Sequence, residues 1–203
     1  MIDVYVLIGV CLVVFVGIIT VSIWFLTKQD FVDIELPEKR AGRLGENYAS
    51  SVIREILRDD DVMFTNVRIM AEGKQAELDN LIINKYGVFI IEVKNYAGEL
   101  FGNEEDDDWI QTKVTTGGSV YQKEVRNPIK QVKRQVYILS RLLKENDIHA
   151  WVDGYVFFVQ CNSPIESKYV LRAQHDIDFA IHLNDCKVSE EDARKIKYLI
   201  RNS

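Results

Sequence analysis

The stretch that decides the fold runs from Glu77 to Lys94: Glu77-Leu78-Asp79-Asn80-Leu81-Ile82-Ile83-Asn84-Lys85-Tyr86-Gly87-Val88-Phe89-Ile90-Ile91-Glu92-Val93-Lys94. Two β-rich apolar runs flank Asn84-Lys85-Tyr86-Gly87, a turn signal that closes a β-hairpin. With Lys85 and Tyr86 as the loop, Leu81 pairs with Ile90 and Asp79 with Glu92. Directly opposed residues on one face have Cβ atoms roughly 4.5–5.5 Å apart, and two carboxylates that close repel unless a cation lies between them. A divalent metal is the natural cation. Lys94 returns to the face of Glu92 two positions on. A bulge at Gly87 would make the pairing diagonal and still leave both acids within reach of one ion.

Outward from the hairpin, the helical projection of Gly45 to about Arg58 gathers Ala49, Val52, Ile53, Ile56 and Leu57 on one arc, with Glu46 in its middle. A carboxylate there either helps the helix dipole or belongs to the site, and the pattern does not choose between them. Strands are expected at about 62–70, 76–84 and 88–95, followed by a hairpin-like pair near 98–103 and 109–115. Asn127-Pro128 marks a helix start, Asn as N-cap and Pro at the first helical position, with the helix running to about Glu145. Its basic arc holds Lys130, Lys133, Arg134, Arg141 and Lys144, opposite Val132, Ile138, Leu139, Leu142 and Leu143. Such an arc reads as a solvated face or as a phosphate-binding one. Gln131 and Gln135 sit in the apolar arc and need partners; Gln131 can find them at the sheet edge. Trp151–Cys161 reads as a strand, Ile177–Leu183 as another, and Ser189-Glu190-Glu191-Asp192 opens a last helix.

Residues 4–26 carry no charge and are long enough for a hydrocarbon core of about 30 Å. The span lacks a basic n-region and a cleavage site, so a transmembrane helix is expected rather than a signal peptide. Lys28, Lys39, Arg40 and Arg43 follow it while no Lys or Arg precedes it, placing the C-terminal portion in the cytoplasm of a single-pass membrane protein. The expected organisation is a tail at 1–3, the span at 4–26, a juxtamembrane linker at 27–41, a domain at 42–155 and its strand and helix extension at 156–203.

The formal net charge is −6, from 25 basic and 31 acidic side chains. A general nucleic-acid coat protein would be basic, so any attraction to polyanions must be local. Part of the deficit lies in Glu104-Glu105-Asp106-Asp107-Asp108, a solvated acidic loop or, less simply, a cation site. Cys161 and Cys186 have no metal-ligand spacing to each other or to His149, His175 and His182.

Gly42-Arg43-Leu44-Gly45-Glu46, Glu77-Leu78-Asp79, Gly87 through Asn95, and Asn127-Pro128-x-x-Gln131 together resemble the nuclease-related domain (NERD) family of the PD-(D/E)xK nuclease superfamily. The similarity covers roughly residues 40–155, with four motifs in order; the superfamily's proline is replaced by Leu78. The resemblance implies an α/β (α+β) restriction-endonuclease-like core, a mixed central sheet flanked by helices. It also implies Asp79 and Glu92 as metal ligands, Lys94 as the catalytic lysine, and Glu46 and Gln131 as supporting residues. The activity expected is Mg²⁺-dependent hydrolysis of phosphodiester bonds, with Mn²⁺ as an alternative ion and DNA as the expected nucleic acid. Asp79, Glu92 and the Val93 carbonyl would hold the ion, and Lys94 would orient or deprotonate the attacking water. Lys130, Lys133 and Arg134 would contact phosphate. The alternative is a non-catalytic membrane-tethered adaptor that binds nucleic acid or protein through the same fold.

Overall fold

The protein is represented by a computed structural model that describes residues 13–22, 24, 36–115, 117–183 and 188–202. The chain divides into two compact units, Met1–Pro37 and Glu38–Ser203. Most of the expected transmembrane segment 4–26 lies outside the described residues. Its described part, 13–22 and Trp24, is helical with exposed side chains. Among the described residues no helix is long and apolar enough to cross a membrane.

The second unit is a mixed α+β fold with two sheets. In chain order the elements are α1 (Pro37–Ile56), β1 (Val62–Ala71), β2 (Lys74–Asn84), β3 (Gly87–Lys94), β4 (Glu99–Phe101), β5 (Asp108–Val114) and β6 (Val120–Arg126). They continue with α2 (Pro128–Glu145), β7 (Val152–Phe158), β8 (Val170–Leu171), α3 (Gln174–His182) and α4 (Glu190–Arg201). The central sheet has the order β1-β2-β3-β7-β8, and β4-β5-β6 form a second sheet. The first three strands run antiparallel as successive hairpins; β3, β7 and β8 are parallel. Parallel neighbours require a crossover, and α2 lies on it.

Side chains alternate across the central sheet and so feed two cores. On one face Leu81, Ile83, Val88 and Ile90 pack with Ile129, Val132, Ile138, Leu139 and Leu143 of α2 and with Ile196 and Ile200 of α4. On the other, Ile82, Phe89, Ile91 and Phe157 meet Ala49 and Ile53 of α1 and Ile177 and Ile181 of α3. The sheet is thus covered by helices on both sides.

Three sequence readings are corrected here. Helix α1 begins at Pro37, eight residues before the expected start and inside the expected 27–41 linker, because proline sits comfortably in a first helical turn. Residues Ile177–His182 are helical, with Leu183 as the C-cap, and form no strand. Ile177, Phe179, Ile181 and Leu183 alternate in sequence, but only Ile177 and Ile181 are buried, at i and i+4, while Phe179 and Leu183 lie 66% and 65% exposed. Asp176 starts that helix by accepting the N–H groups of Arg172 and Ala173 at 2.9 and 3.0 Å. The expected 98–103 and 109–115 pair gains a third strand, β6, in which Val125 alone is buried, too weak a pattern to read in advance.

Candidate active site

The β2–β3 hairpin has the expected turn, with Asn84 facing Gly87 across a two-residue loop and Leu81 facing Ile90, but the ladder ends at Asn80 and Ile91, so the expected Asp79–Glu92 pair does not form. Gly87 carries no bulge. Beyond Asn80 the strict alternation breaks: Leu78 and Leu81, three apart, are buried in the same core. The partner strand changes with it, at Asn66, whose φ of 53° is left-handed. The continued register would set Leu78 opposite Val93, yet the Val93 N–H goes to Asp79 Oδ2 at 2.7 Å. A carboxylate therefore replaces a ladder carbonyl where the strands part.

Glu92, one residue earlier on β3, faces α2 and is 2% exposed. Its Oε1 accepts from Lys94 Nζ at 2.6 Å and from Gln131 Nε2 at 2.5 Å; its Oε2 accepts from Gln135 Nε2 at 2.6 Å. Gln135 also donates to the Glu77 carbonyl at 2.8 Å, while its buried Oε1 has no hydrogen-bond partner among the described residues. Burial first, then the Glu92 charge, and more weakly that of Glu46, push the Asp79 carboxyl up to about 7, against the N–H of Val93 and the Lys94 ammonium. Burial works to lower the Lys94 ammonium, but Glu92, Tyr96 and Asp79 outweigh it and hold it above its ordinary value. Lys94 is accordingly held as a cation beside the two acids.

Glu46 reaches this neighbourhood through the close seat of α1 on the end of β3. A Cβ on Gly45 would stand 2.5 Å from Asn95 Cβ, so only glycine permits that approach, and Asn95 Nδ2 fastens the helix by donating to the Ala41 carbonyl at 2.8 Å. One turn on, Ser50 Oγ donates to the buried Asn80 Oδ1 at 2.7 Å. Glu46 is half-buried, in keeping with either role open to it from the sequence. On the other side, Asn127 caps α2 by accepting the Ile129 N–H at 2.9 Å and brings Gln131 and Gln135 over Glu92.

The expected site residues thus fall into two sets. Asp79, Glu92, Lys94 and Gln131 converge, with Glu46 near Asp79; Val93 joins them through its N–H, which donates to Asp79. The basic face of α2 is more engaged than expected. Lys130 Nζ is 2.7 Å from Asp107 Oδ1 and Lys133 Nζ 2.8 Å from Glu104 Oε1, while Arg141 pairs with Glu72. Arg134 is exposed and lines a cavity of about 690 Å³ with Arg126, Lys130, Gln131, Gln135 and Glu77. Gln135 was visible in the sequence as an amide on an apolar arc, the same signal that marked Gln131; its bond to Glu92 was not.

The donor chemistry suits a hard divalent cation. Two interacting carboxylates, one of them driven toward its protonated form by burial and then by the charge of the other, gain most from a bound positive charge. Among the described residues no group of three or more His, Cys, Asp or Glu is placed to hold a metal ion, so such an ion would rest on the two acids and non-acidic oxygens.

A mixed sheet that gathers two carboxylates, a lysine and two amides where a hairpin opens defines a class of site before any relative is consulted. The nuclease-related domain matches residues 41–159, more than half of the chain, and the protein belongs to that family. It is also similar to an uncharacterized protein of Bacillus anthracis, 24% identical over 110 residues, covering 53% of this chain and 49% of the relative. The chain thus matches about half the length of that relative. No solved structure matches it.

Proposed function

We propose that this protein is a metal-dependent nuclease with a restriction-endonuclease-like core, hydrolysing phosphodiester bonds of nucleic acid, DNA being the expected substrate. The observation that carries the reading is the half-buried Asp79 and the buried Glu92, whose charges oppose each other, beside the Lys94 ammonium. Asp79 and Glu92 would hold Mg²⁺ or Mn²⁺, with the Val93 carbonyl as a further oxygen. When bound, that ion supplies charge neutralisation at the phosphate and a nucleophile at neutral pH. Lys94 places a fixed positive charge where negative charge grows on the phosphoryl oxygens. Gln131 and Gln135 hold the Glu92 carboxylate in one orientation, and the spare Gln135 Oε1 offers an acceptor for a proton on substrate or water. Glu46 adds negative charge near Asp79 and so strengthens the pull on a cation.

The test is the full chain incubated with linear, circular and single-stranded DNA and with RNA, under Mg²⁺, Mn²⁺ or chelator. Cleavage should need metal and should fall by at least about a thousandfold in Asp79→Ala and Glu92→Gln, since each loses a charge made for the ion and the transition state. Equal cutting by either variant would falsify the mechanism.

One observation favours the second reading, a membrane-tethered adaptor that binds without cutting: both oxygens of Glu92 are already engaged by Lys94, Gln131 and Gln135. Calorimetry separates the two, because the adaptor should show no Mg²⁺ binding that depends on Asp79 and Glu92.

Attachment to a membrane through residues 4–26, with the remainder cytoplasmic, is part of the same proposal and rests on the uncharged run and the basic residues after it. Recovery of the full chain in the soluble fraction after lysis, without detergent, would exclude it.

A further inference from the structure

The acidic run Glu104–Asp108 is part of a shaped loop. Asn127 Nδ2 donates to the carbonyls of Asn103, Glu104 and Asp106 at 3.3, 3.0 and 2.7 Å, and the Asn127 N–H donates to the Asp107 carbonyl at 2.9 Å. Trp109 Nε1 donates to the Asn103 carbonyl at 2.8 Å, and Asp106 Oδ2 accepts the Asn103 N–H at 2.7 Å. So held, the loop presents two carboxylates to the basic face of α2: Asp107 to Lys130 and Glu104 to Lys133. Ser167 Oγ fixes the other oxygen of Glu104 at 2.8 Å. Hydrogen bonding to the paired lysine is the main reason that both carboxyls titrate below the usual carboxylate range.

We infer that Glu104 and Asp107 are a built-in competitor for substrate phosphate, an autoinhibitory contact that nucleic acid must displace from Lys130 and Lys133. The inference rests on the nuclease reading above and names how access to that same site is regulated. Lys130 and Asp107 both line the cavity that reaches Gln131 and Gln135 over Glu92, so the contact stands at the approach to the reacting groups. The Asp107 side chain is 89% exposed, and a pair so open to water is held weakly. A dense row of phosphates can break it; an isolated anion competes poorly. The loop thereby raises the charge density a ligand needs before it engages α2.

Counterion release makes this measurable. A lysine already paired with a carboxylate adds little to the salt dependence of binding, because the carboxylate it abandons draws a cation back. The experiment is fluorescence anisotropy of the full chain in mild detergent with a labelled DNA duplex, in chelator to prevent cutting, across a KCl series. Glu104→Gln with Asp107→Asn should bind several-fold more tightly at low salt. The slope of log affinity on log salt should steepen by about 1.8, two freed cations at roughly 0.9 each. Adding Lys130→Ala and Lys133→Ala to that variant should remove the gain. Should Glu104→Gln disturb folding through Ser167, Asp107→Asn alone should steepen the slope by about 0.9. Binding by the unaltered protein with an unchanged slope in these variants overturns the competitor and leaves the nuclease reading standing. Absence of binding in every version, in a chain whose circular dichroism is unchanged, removes both.

Discussion

Asp79 shows how a single side chain can be placed against its own stability. Its carboxyl titrates near 7 in the folded chain and near its ordinary 3.8 when unfolded. The folded state therefore holds that proton more tightly, and the stability so gained is complete below about pH 4 and is lost as pH rises to about 7. Asp79→Asn removes the titration and can keep the oxygen that accepts the Val93 N–H. In metal-free buffer it should be more stable at pH 7 by on the order of 1–3 kcal/mol, and should lack the part of the parent's pH dependence between 4 and 7 that Asp79 causes. Urea unfolding at pH 4, 5.5 and 7 checks this; a variant no more stable than the parent at pH 7 contradicts it. At this scale much was legible beforehand. Acids and a lysine in strands that should carry none announced Asp79, Glu92 and Lys94, and an amide on an apolar arc announced Gln131. The second amide, Gln135, sent the same signal, but its role depends on which carboxylate lies beneath the helix, a distance of 43 residues along the chain.

Among the elements, the β2–β3 hairpin and α2 matched their sequence signals closely because each is set by local chemistry: a two-residue turn between β-branched runs, and Asn-Pro at a helix start. Segments ruled by tertiary burial did not. Helix α3 looked like a strand because apolar residues alternate from Ile177 to its C-cap Leu183 although Phe179 and Leu183 face solvent, and β6 looked like loop because one residue of seven is buried. The parting of β2 from β3 at Asp79 was likewise invisible, since a ladder ends by geometry and no residue type announces it. Asn127 is the strongest joint between elements, fully buried, capping α2 and donating to three loop carbonyls. Asn127→Ala should cost about 2–3 kcal/mol, the lost cap plus buried carbonyls without donors. It should also weaken nucleic-acid cleavage by misplacing Gln131 and Gln135. Thermal unfolding with a cleavage assay tests both effects; a loss below about 0.5 kcal/mol would show that the loop and helix hold themselves.

For the molecule as a whole, the mixed α+β class was readable from the spacing of strands and helices, and the two-sided cover of the sheet from its near-continuous apolar central strand. In β3 seven of eight residues are buried. The order of strands, with β7 rather than β1 beside β3, needed the coordinates. That order has a physical corollary for β3, the third of five strands, which pairs with β7 from Val88 to Lys94 and with β2 as far as Ile91. Such a strand has no edge from which to fray. Amide protons of Phe89 to Ile91, where both neighbours are bonded, should exchange with deuterium only through complete opening of the domain. Heat should then extinguish any enzymatic turnover and the last protected amides together, with no intermediate that is folded yet inert; exchange of these amides well ahead of unfolding would disprove it.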